Sequence, residues 1–146
     1  LNPPSTNNCA VTRASFDKQF KYIDDIVANL NDLICEYCMG IELNEYFNDS
    51  QVSQLVNTLK SKSGKRVGVH WTPGRTSICG ADALYCQYGF GLNASQIKST
   101  TKSKKASIPS GIRFIAAEYA KSSDKEGKTL GQAALQGGAN GVGNGH

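Results

Sequence analysis

The chain carries two arrangements of sulfur and imidazole that could do chemistry. The first is Cys35-Glu36-Tyr37-Cys38, a CxxC motif with the spacing used in thiol–disulfide exchange. A redox CxxC lies at a helix N-terminus, where free N–H groups and the helix dipole stabilise a thiolate. Here the apolar pattern places the motif at the end of a helix, at the negative pole. We therefore predict a structural role for this pair of cysteines.

Cys9 and His70 form the second arrangement, as the nucleophile and base of a cysteine-dependent hydrolase. The only other histidine, His146, lies in a glycine-rich end of the chain. A triad also needs an Asp or Asn that orients the base, and the sequence places none beside His70. The hydrolase therefore stays an alternative, and the leading interpretation assigns no catalytic residue.

Disulfide bonds are the main chemistry that we predict for the cysteines. The candidates are Cys9, Cys35, Cys38, Cys79 and Cys86. The last two are separated by six residues, which is too long for a usual zinc knuckle. We therefore predict no metal and no cofactor, and an odd thiol left over from bridges whose pairing stays open.

Two other short motifs point to the secretory pathway. Asn48-Asp49-Ser50 and Asn93-Ala94-Ser95 are sequons for N-glycosylation. Together with the five cysteines and the single Met, they favour an oxidising compartment and a secreted, extracellular protein. Lys65-Arg66, in a Gly/Ser context, is a candidate processing site at which the chain would be cleaved after Arg66.

The helices that would position these residues are visible as apolar stripes. Ser15 is a candidate N-cap for a long amphipathic helix that ends near Cys38, with Gly40 as its stop. Its stripe is Phe16, Phe20, Ile23, Val27, Leu30 and Ile34. Asp49 and Ser50 cap a shorter helix, and Pro109 and Ser110 start a third one.

Strand signals surround the turn Thr72-Pro73-Gly74-Arg75. Residues 67–71 alternate, residues 76–79 form a return strand, and a third strand covers 83–90. Residues 9–14 are another short strand, and the cationic stretch 98–107 is an exposed loop. This order predicts an α+β fold, with an antiparallel sheet of about three to four strands, about three helices on one face, and disulfide staples. One domain spans residues 1–136, and residues 137–146 are a flexible Gly-rich tail.

Charge is divided unevenly along the chain. Residues 1–59 hold three bases and eight acids, whereas residues 60–146 hold thirteen bases and four acids. The basic half could attract an anionic partner, but we favour attraction between the two halves within the fold. The stretch from Lys98 to Lys105 holds no aromatic residue for base stacking, so we predict no specific nucleic-acid partner. No apolar run is long enough for a transmembrane helix.

The helix that runs from Ile26 to Leu33 into Cys35-Glu36-Tyr37-Cys38-Met39-Gly40 resembles a fragment of the killer toxins of smut fungi. The resemblance implies a small secreted protein that inhibits competing cells. We therefore expect a secreted toxin-like or effector-like fungal protein that binds a cell-surface or other protein target of another organism. The alternatives are the Cys9/His70 hydrolase and a structural module of the cell surface.

Overall fold

A computed structural model of the protein describes residues 16–119 and 124–143. Cys9 and the strand expected over 9–14 lie outside these residues. The described helices are α1 (Phe16–Leu30), α2 (Asp49–Ser63), α3 (Ala94–Ser107) and α4 (Asp124–Gln136). The described strands are β1 (Glu36–Cys38), β2 (Arg66–Trp71), β3 (Ala83–Cys86), β4 (Arg113–Ala116) and β5 (Gly141–Val142).

The five strands of the described residues form one sheet in the order β1-β2-β3-β4-β5, and every neighbouring pair is parallel. The prediction of an antiparallel sheet is therefore wrong. Three connections are helical: α2 joins β1 to β2, α3 joins β3 to β4, and α4 joins β4 to β5. These crossovers return the chain to the same edge of the sheet before each new strand.

The connection from β2 to β3 explains the wrong strand direction. The turn signal is real, since the Arg75 N–H donates to the Thr72 carbonyl at 3.4 Å. The chain does not double back beside β2, however. Residues 72–82 run along α2, from Asp49, which is bonded by Arg75 and Ser77, to Lys60, which donates to the Gly80 carbonyl. This loop takes the place of a crossover helix, because it returns the chain to the amino edge of the sheet. Strand β3 therefore begins there and runs parallel to β2.

Elsewhere, local patterns predicted the wrong element. The stretch expected as a cationic loop is α3, which buries only Ile97 and Thr101 and therefore shows no apolar stripe. The helix expected after Ser110 is β4, in which Phe114 and Ala116 are buried on one face. The long helix ends at Leu30 rather than near Cys38, and the last three residues of the CxxC motif form β1. Part of the segment expected as a tail, Gly141–Val142, forms β5.

The predicted disulfide staple is also wrong for the described cysteines, since Cys35, Cys38, Cys79 and Cys86 are all free thiols. Cys35 lies in the bend before β1 and Cys38 is the last residue of that strand, so the length of the strand separates the two cysteines. Cys86 ends β3, roughly 10 Å along the strand from its first residue, whereas Cys79 lies in the loop before that strand. A bridge would require Cα atoms less than about 7 Å apart.

One face of the sheet carries the apolar core. Trp71, Leu84 and Phe114 are almost fully buried, and they pack in one cluster with α2 residues such as Val52 and Val56. Helix α2 begins at a capping box and ends at Gly64, whose left-handed φ of 65° suits a glycine. The buried side chains of the helices therefore cover this face of the strands.

The other face, which we call the open face, carries a charged cluster at its amino end. The Glu36 carboxylate on β1 lies 3.3 Å from Arg66 Nε on β2. It also accepts hydrogen bonds from the Tyr85 hydroxyl on β3, at 2.7 Å, and from the Arg113 guanidinium on β4. Its side chain is only 10% exposed, so it depends on these partners for its solvation. One carboxylate thus joins four neighbouring strands.

Gly68 makes room for this cluster. A Cβ atom at position 68 would lie 2.3 Å from Tyr85 Cε2, far inside van der Waals contact. The Tyr85 ring therefore crosses from β3 over the backbone of β2 to reach Glu36 on β1. Only glycine allows this approach at position 68.

We predict that Gly68→Ala lowers the free energy of unfolding by about 2 kcal/mol, because the new methyl group collides with a rigid ring. Urea denaturation measures the change. Gly89→Ala is the matched control, since nothing lies within 4 Å of a Cβ at that position. In a Tyr85→Ala background, Gly68→Ala should cost much less. An equal loss in both backgrounds would show that the ring is not the cause.

Candidate ligand site at the carboxyl edge of the sheet

Three polar side chains lie at the carboxyl ends of neighbouring strands. His70 is the second-last residue of β2, Gln87 directly follows β3, and Glu118 lies two residues beyond β4. Because all strands are parallel, these ends meet at one edge of the sheet. This edge is where ligands bind in parallel α/β sheets. We call His70, Gln87 and Glu118 the carboxyl-edge site.

His70 lies on the open face and is only 3% exposed. Its Nδ1 accepts a hydrogen bond from the backbone N–H of Glu42 at 3.3 Å. Glu42 takes a left-handed φ of 52° in the loop that follows β1. Asn44 fastens this loop to the end of β2 through two hydrogen bonds with Thr72. The loop therefore closes over the imidazole and determines which nitrogen carries the proton.

Because Nδ1 accepts, the proton of the neutral imidazole is on Nε2, which makes Nε2 a donor. Nε2 has no hydrogen-bond partner within the part of the chain that the structure describes. A carboxylate oxygen of Glu118 lies 3.9 Å from Nε2, which is too far for a hydrogen bond. His70 thus keeps a buried N–H group that has no hydrogen-bond partner among the described residues.

Gln87 follows β3, the strand that lies between the strands of the other two residues. Strands β2 and β4 are both neighbours of β3 and are therefore roughly 9–10 Å apart. The His70 and Glu118 side chains, which are 3.9 Å apart, therefore meet across β3. Gln87 is buried, and its Oε1 also has no hydrogen-bond partner among the described residues. The site thus combines an unused donor and an unused acceptor.

The electrostatics of the site favour a neutral imidazole. Burial lowers the pKa of His70 below its ordinary value, so the ring is uncharged at neutral pH. The carboxylate of Glu118, which is 23% exposed, lies 3.9 Å from Nε2.

The predicted hydrolase pair is not brought together by the described residues. Cys9 lies outside them. Cys86 pairs with Trp71 on the opposite face of the sheet from His70, and burial raises the pKa of its thiol. Cys38 shares the open face with His70, but its thiol donates to the Gly40 carbonyl at 3.5 Å. Since Nε2 of His70 already carries a proton, it is a donor in this arrangement and not a base.

Both sequon asparagines have a structural role. The side chain of Asn48 caps α2 and that of Asn93 caps α3, each accepting a hydrogen bond from the backbone of a glutamine three residues later. That glutamine, Gln51 or Gln96, bonds back to the asparagine backbone and completes a capping box. The repeated pattern Asn-x-Ser-Gln therefore explains these residues without a glycan, and glycosylation at Asn48 and Asn93 stays a prediction.

The candidate processing site lies where α2 passes into β2. The Lys65 backbone N–H donates to the Ser63 hydroxyl, and Arg66 is the first residue of β2 and pairs with Glu36. Cleavage after Arg66 would separate this residue from its strand. Processing there stays a prediction.

Ion pairs join the acidic and basic halves of the chain. Lys62 pairs with Asp24, Arg75 pairs with Asp49, and both Arg66 and Arg113 pair with Glu36. Attraction between the halves, which we favoured from the charge pattern, therefore operates within the fold.

Metal-binding and membrane-spanning features are absent from the described ranges. No group of three or more His, Cys, Asp or Glu side chains in residues 16–119 and 124–143 is arranged to hold a metal ion. Within the same ranges, every helix is too short or too polar to cross a membrane. Comparison with known proteins adds no assignment, since the chain matches no protein-family model and no curated protein.

Sequence reasoning missed Gln87 and Glu118. Both residues lie just after a strand, which is the signal in the sequence that could have identified them. This position brings them together only if the strands are parallel. The expected helix over residues 110–119 also placed Glu118 within an element that the protein does not form there.

We predict that the protein loses stability as pH falls below about 6.5, the ordinary pKa of an unfolded histidine. His70 has a lower pKa in the folded state, so the unfolded chain binds a proton first on acidification. Urea denaturation at several pH values between 7 and 5 measures the slope of the free energy of unfolding against pH. His70→Gln should make the fall of the free energy of unfolding with decreasing pH shallower. His146 is the same in both proteins, so the difference between them reports on His70. The same slope in the wild type and the variant would contradict the assignment to His70.

We predict that the cap, and not the sequon, determines the effect of substitutions at Asn93. Asn93→Ala should lower the free energy of unfolding by about 1 kcal/mol, because a backbone N–H loses its acceptor. Asn93→Asp keeps the acceptor and Ser95→Ala keeps the cap, so both should be nearly neutral although both remove the sequon. Urea denaturation of unglycosylated protein makes the comparison. A loss in Asn93→Asp equal to that in Asn93→Ala would refute the capping role.

Proposed function

We propose that the protein is a secreted toxin-like or effector-like protein that acts by binding a target on other cells, and that the carboxyl-edge site recognises this target. The observation that carries the proposal is the buried Nε2–H of His70, which has no hydrogen-bond partner among the described residues.

Buried polar groups in proteins are normally hydrogen-bonded, and leaving one unpaired costs roughly 1–3 kcal/mol. The carboxyl-edge site keeps two such groups, His70 Nε2 and Gln87 Oε1, at the same edge of one sheet. A target that supplies the missing partners would offset this cost on binding. Binding would therefore gain both affinity and selectivity from these groups.

Binding is favoured over hydrolysis because of the protonation state of His70. A hydrolase needs an imidazole nitrogen that is free to take a proton from the nucleophile. The Glu42 N–H occupies Nδ1, and Nε2 already holds a proton. The site therefore offers a hydrogen-bond donor to a bound target but no nitrogen that could take a proton from a nucleophile.

The proposal of secretion rests on the two sequons, the single Met and the likeness to fungal killer toxins. The four described cysteines contribute no bridge to it, since all of them are free thiols. The surface target, in a cell of another organism, is part of the same proposal.

The proposal is tested with fluorescently labelled protein added to intact cells of a panel of fungi and bacteria. We expect saturable binding to at least one strain, together with slower growth of that strain. His70→Gln should weaken binding at least tenfold, because it removes the imidazole donor. The matched control is Gln132→Asn, an exposed position on α4, which should bind like the wild type.

Thermal unfolding of each variant establishes that it is folded before its binding is compared. Absence of saturable binding to every strain in the panel would overturn the proposed function. Unchanged binding by a folded His70→Gln variant would remove the carboxyl-edge site from it.

A further inference from the structure

A cavity of about 150 Å³ lies between helices α1 and α2 and the end of strand β1. All three elements contribute apolar or aromatic side chains to its lining: Ile23, Ile26, Leu55, Leu59, Tyr37 and Met39. Tyr37 pairs with the core residue Val67, so the cavity lies on the helix side of the sheet, whereas His70 lies on the open face. A ligand in this cavity would be additional to the target proposed above.

Helix α1, which forms one wall of the cavity, is only partly packed against the core. Its apolar stripe is strong, but Ile23 is its only buried residue. Ile26 and Val27 are half-buried, and Leu30 is 44% exposed. A segment with few buried apolar contacts opens locally at a low cost in free energy. A small molecule can therefore enter beneath α1 without unfolding the core.

The cavity offers nothing that would stabilise a charged ligand. Among the described residues, no Asp, Glu, Lys, Arg or His side chain lines it. The inner wall is formed by Ile23, Leu55 and Leu59, which are 4%, 1% and 4% exposed. An ion would lose its hydration against this wall and would gain no opposite charge in return. The lining therefore favours an uncharged ligand.

The polar groups of the lining are bonded within the protein or reach solvent. The Tyr37 hydroxyl donates to Asn31 Oδ1 at 3.1 Å, and the Cys38 thiol donates to the Gly40 carbonyl at 3.5 Å. The polar lining residues of α1 are partly exposed: Gln19 and Tyr22. A hydroxyl group inside the cavity would find few free partners, and an unpaired polar group is costly. The lining therefore also disfavours a ligand that must form hydrogen bonds.

The volume of the cavity sets the size of the ligand. An apolar cavity of about 150 Å³ lined by aliphatic and aromatic side chains excludes water and takes up benzene. The cavity beneath α1 has the same volume and a similar lining. The thioether of Met39 adds a polarisable group that makes favourable contacts with aromatic rings.

From these observations we propose that the cavity between α1, α2 and β1 is a binding site for a small, uncharged, apolar molecule of about the size of a single aromatic ring. The site discriminates against molecules of the same size that carry a hydroxyl group or a charge.

The test compares toluene with phenol, which has the same number of heavy atoms but carries a hydroxyl, and with benzoate, which carries a charge. Each probe is titrated into the full-length protein at pH 7.5, and the methyl signals of Ile23, Leu55 and Leu59 are followed by NMR. We expect saturable shifts with toluene, together with nuclear Overhauser effects between its protons and these methyl groups. The dissociation constants of phenol and benzoate should be at least tenfold higher than that of toluene.

A pair of variants tests the location. Ile26→Phe places a ring of the protein in the cavity, so it should weaken toluene binding at least tenfold. Leu30→Phe introduces the same ring at an exposed position of α1 that does not line the cavity, so it should bind toluene like the wild type. Thermal unfolding establishes that each variant is folded. The comparison of the three probes on the wild type depends on no variant.

Three outcomes would overturn the inference. Toluene could cause no saturable shift up to its solubility limit, phenol or benzoate could bind as tightly as toluene, or a folded Ile26→Phe variant could bind toluene like the wild type. The His70→Gln variant should bind toluene normally, because His70 lies on the other face of the sheet. Results with toluene and results with cells therefore decide the two proposals separately.

Discussion

The Glu36 carboxylate is the interaction on which the arrangement of the open face depends. It reaches Arg66, Tyr85 and Arg113, and so joins four strands that come from distant parts of the chain. Parallel strands have no tight turn between them to set their register. A shared carboxylate at their amino ends therefore helps to align them, and Gly68 leaves room for the ring of Tyr85. The same alignment brings the carboxyl ends together at the opposite edge.

Buried polar groups differ in their hydrogen bonding between the amino end of the open face and the carboxyl edge. At the amino end, the nearly buried Glu36 is surrounded by cations and a hydroxyl, as expected of a structural cluster. At the carboxyl edge, His70 and Gln87 each keep a buried polar atom without a hydrogen-bond partner in the described residues. The loop through Glu42 and Asn44 holds His70 in place without satisfying Nε2. This contrast is the basis on which we propose that the carboxyl edge, and not the amino end, takes part in recognition.

Sequence patterns predicted an element correctly where neighbouring residues determine it, and failed where contacts with distant residues determine it. The alternation in residues 67–71 corresponds to β2, and the apolar positions of α2 are buried as expected. Helix α3 was missed because it rests on two buried side chains and a capping box, and so lacks an apolar stripe. Strand β4 was mistaken for a helix because its apolar residues also recur at helical spacing. Both errors arise because hydrophobic spacing alone does not reveal which neighbour buries a residue.

By itself, the sequence determined the apolar stretches and the inventory of thiols and charges, because these depend on residues close together in the chain. The helix caps are local too, but the structure places them at Asn48 and Asn93 rather than at the predicted residues. Only the tertiary structure decided the strand direction, the separation of the cysteines and the meeting of His70 with Glu118. The direction of β3 depends on the packing of residues 72–82 along α2. The proton on Nε2 of His70 depends on the backbone of a loop 28 residues away. These contacts join residues that are far apart in the sequence. They form because they lower the free energy of the whole fold, so a local sequence pattern cannot predict them.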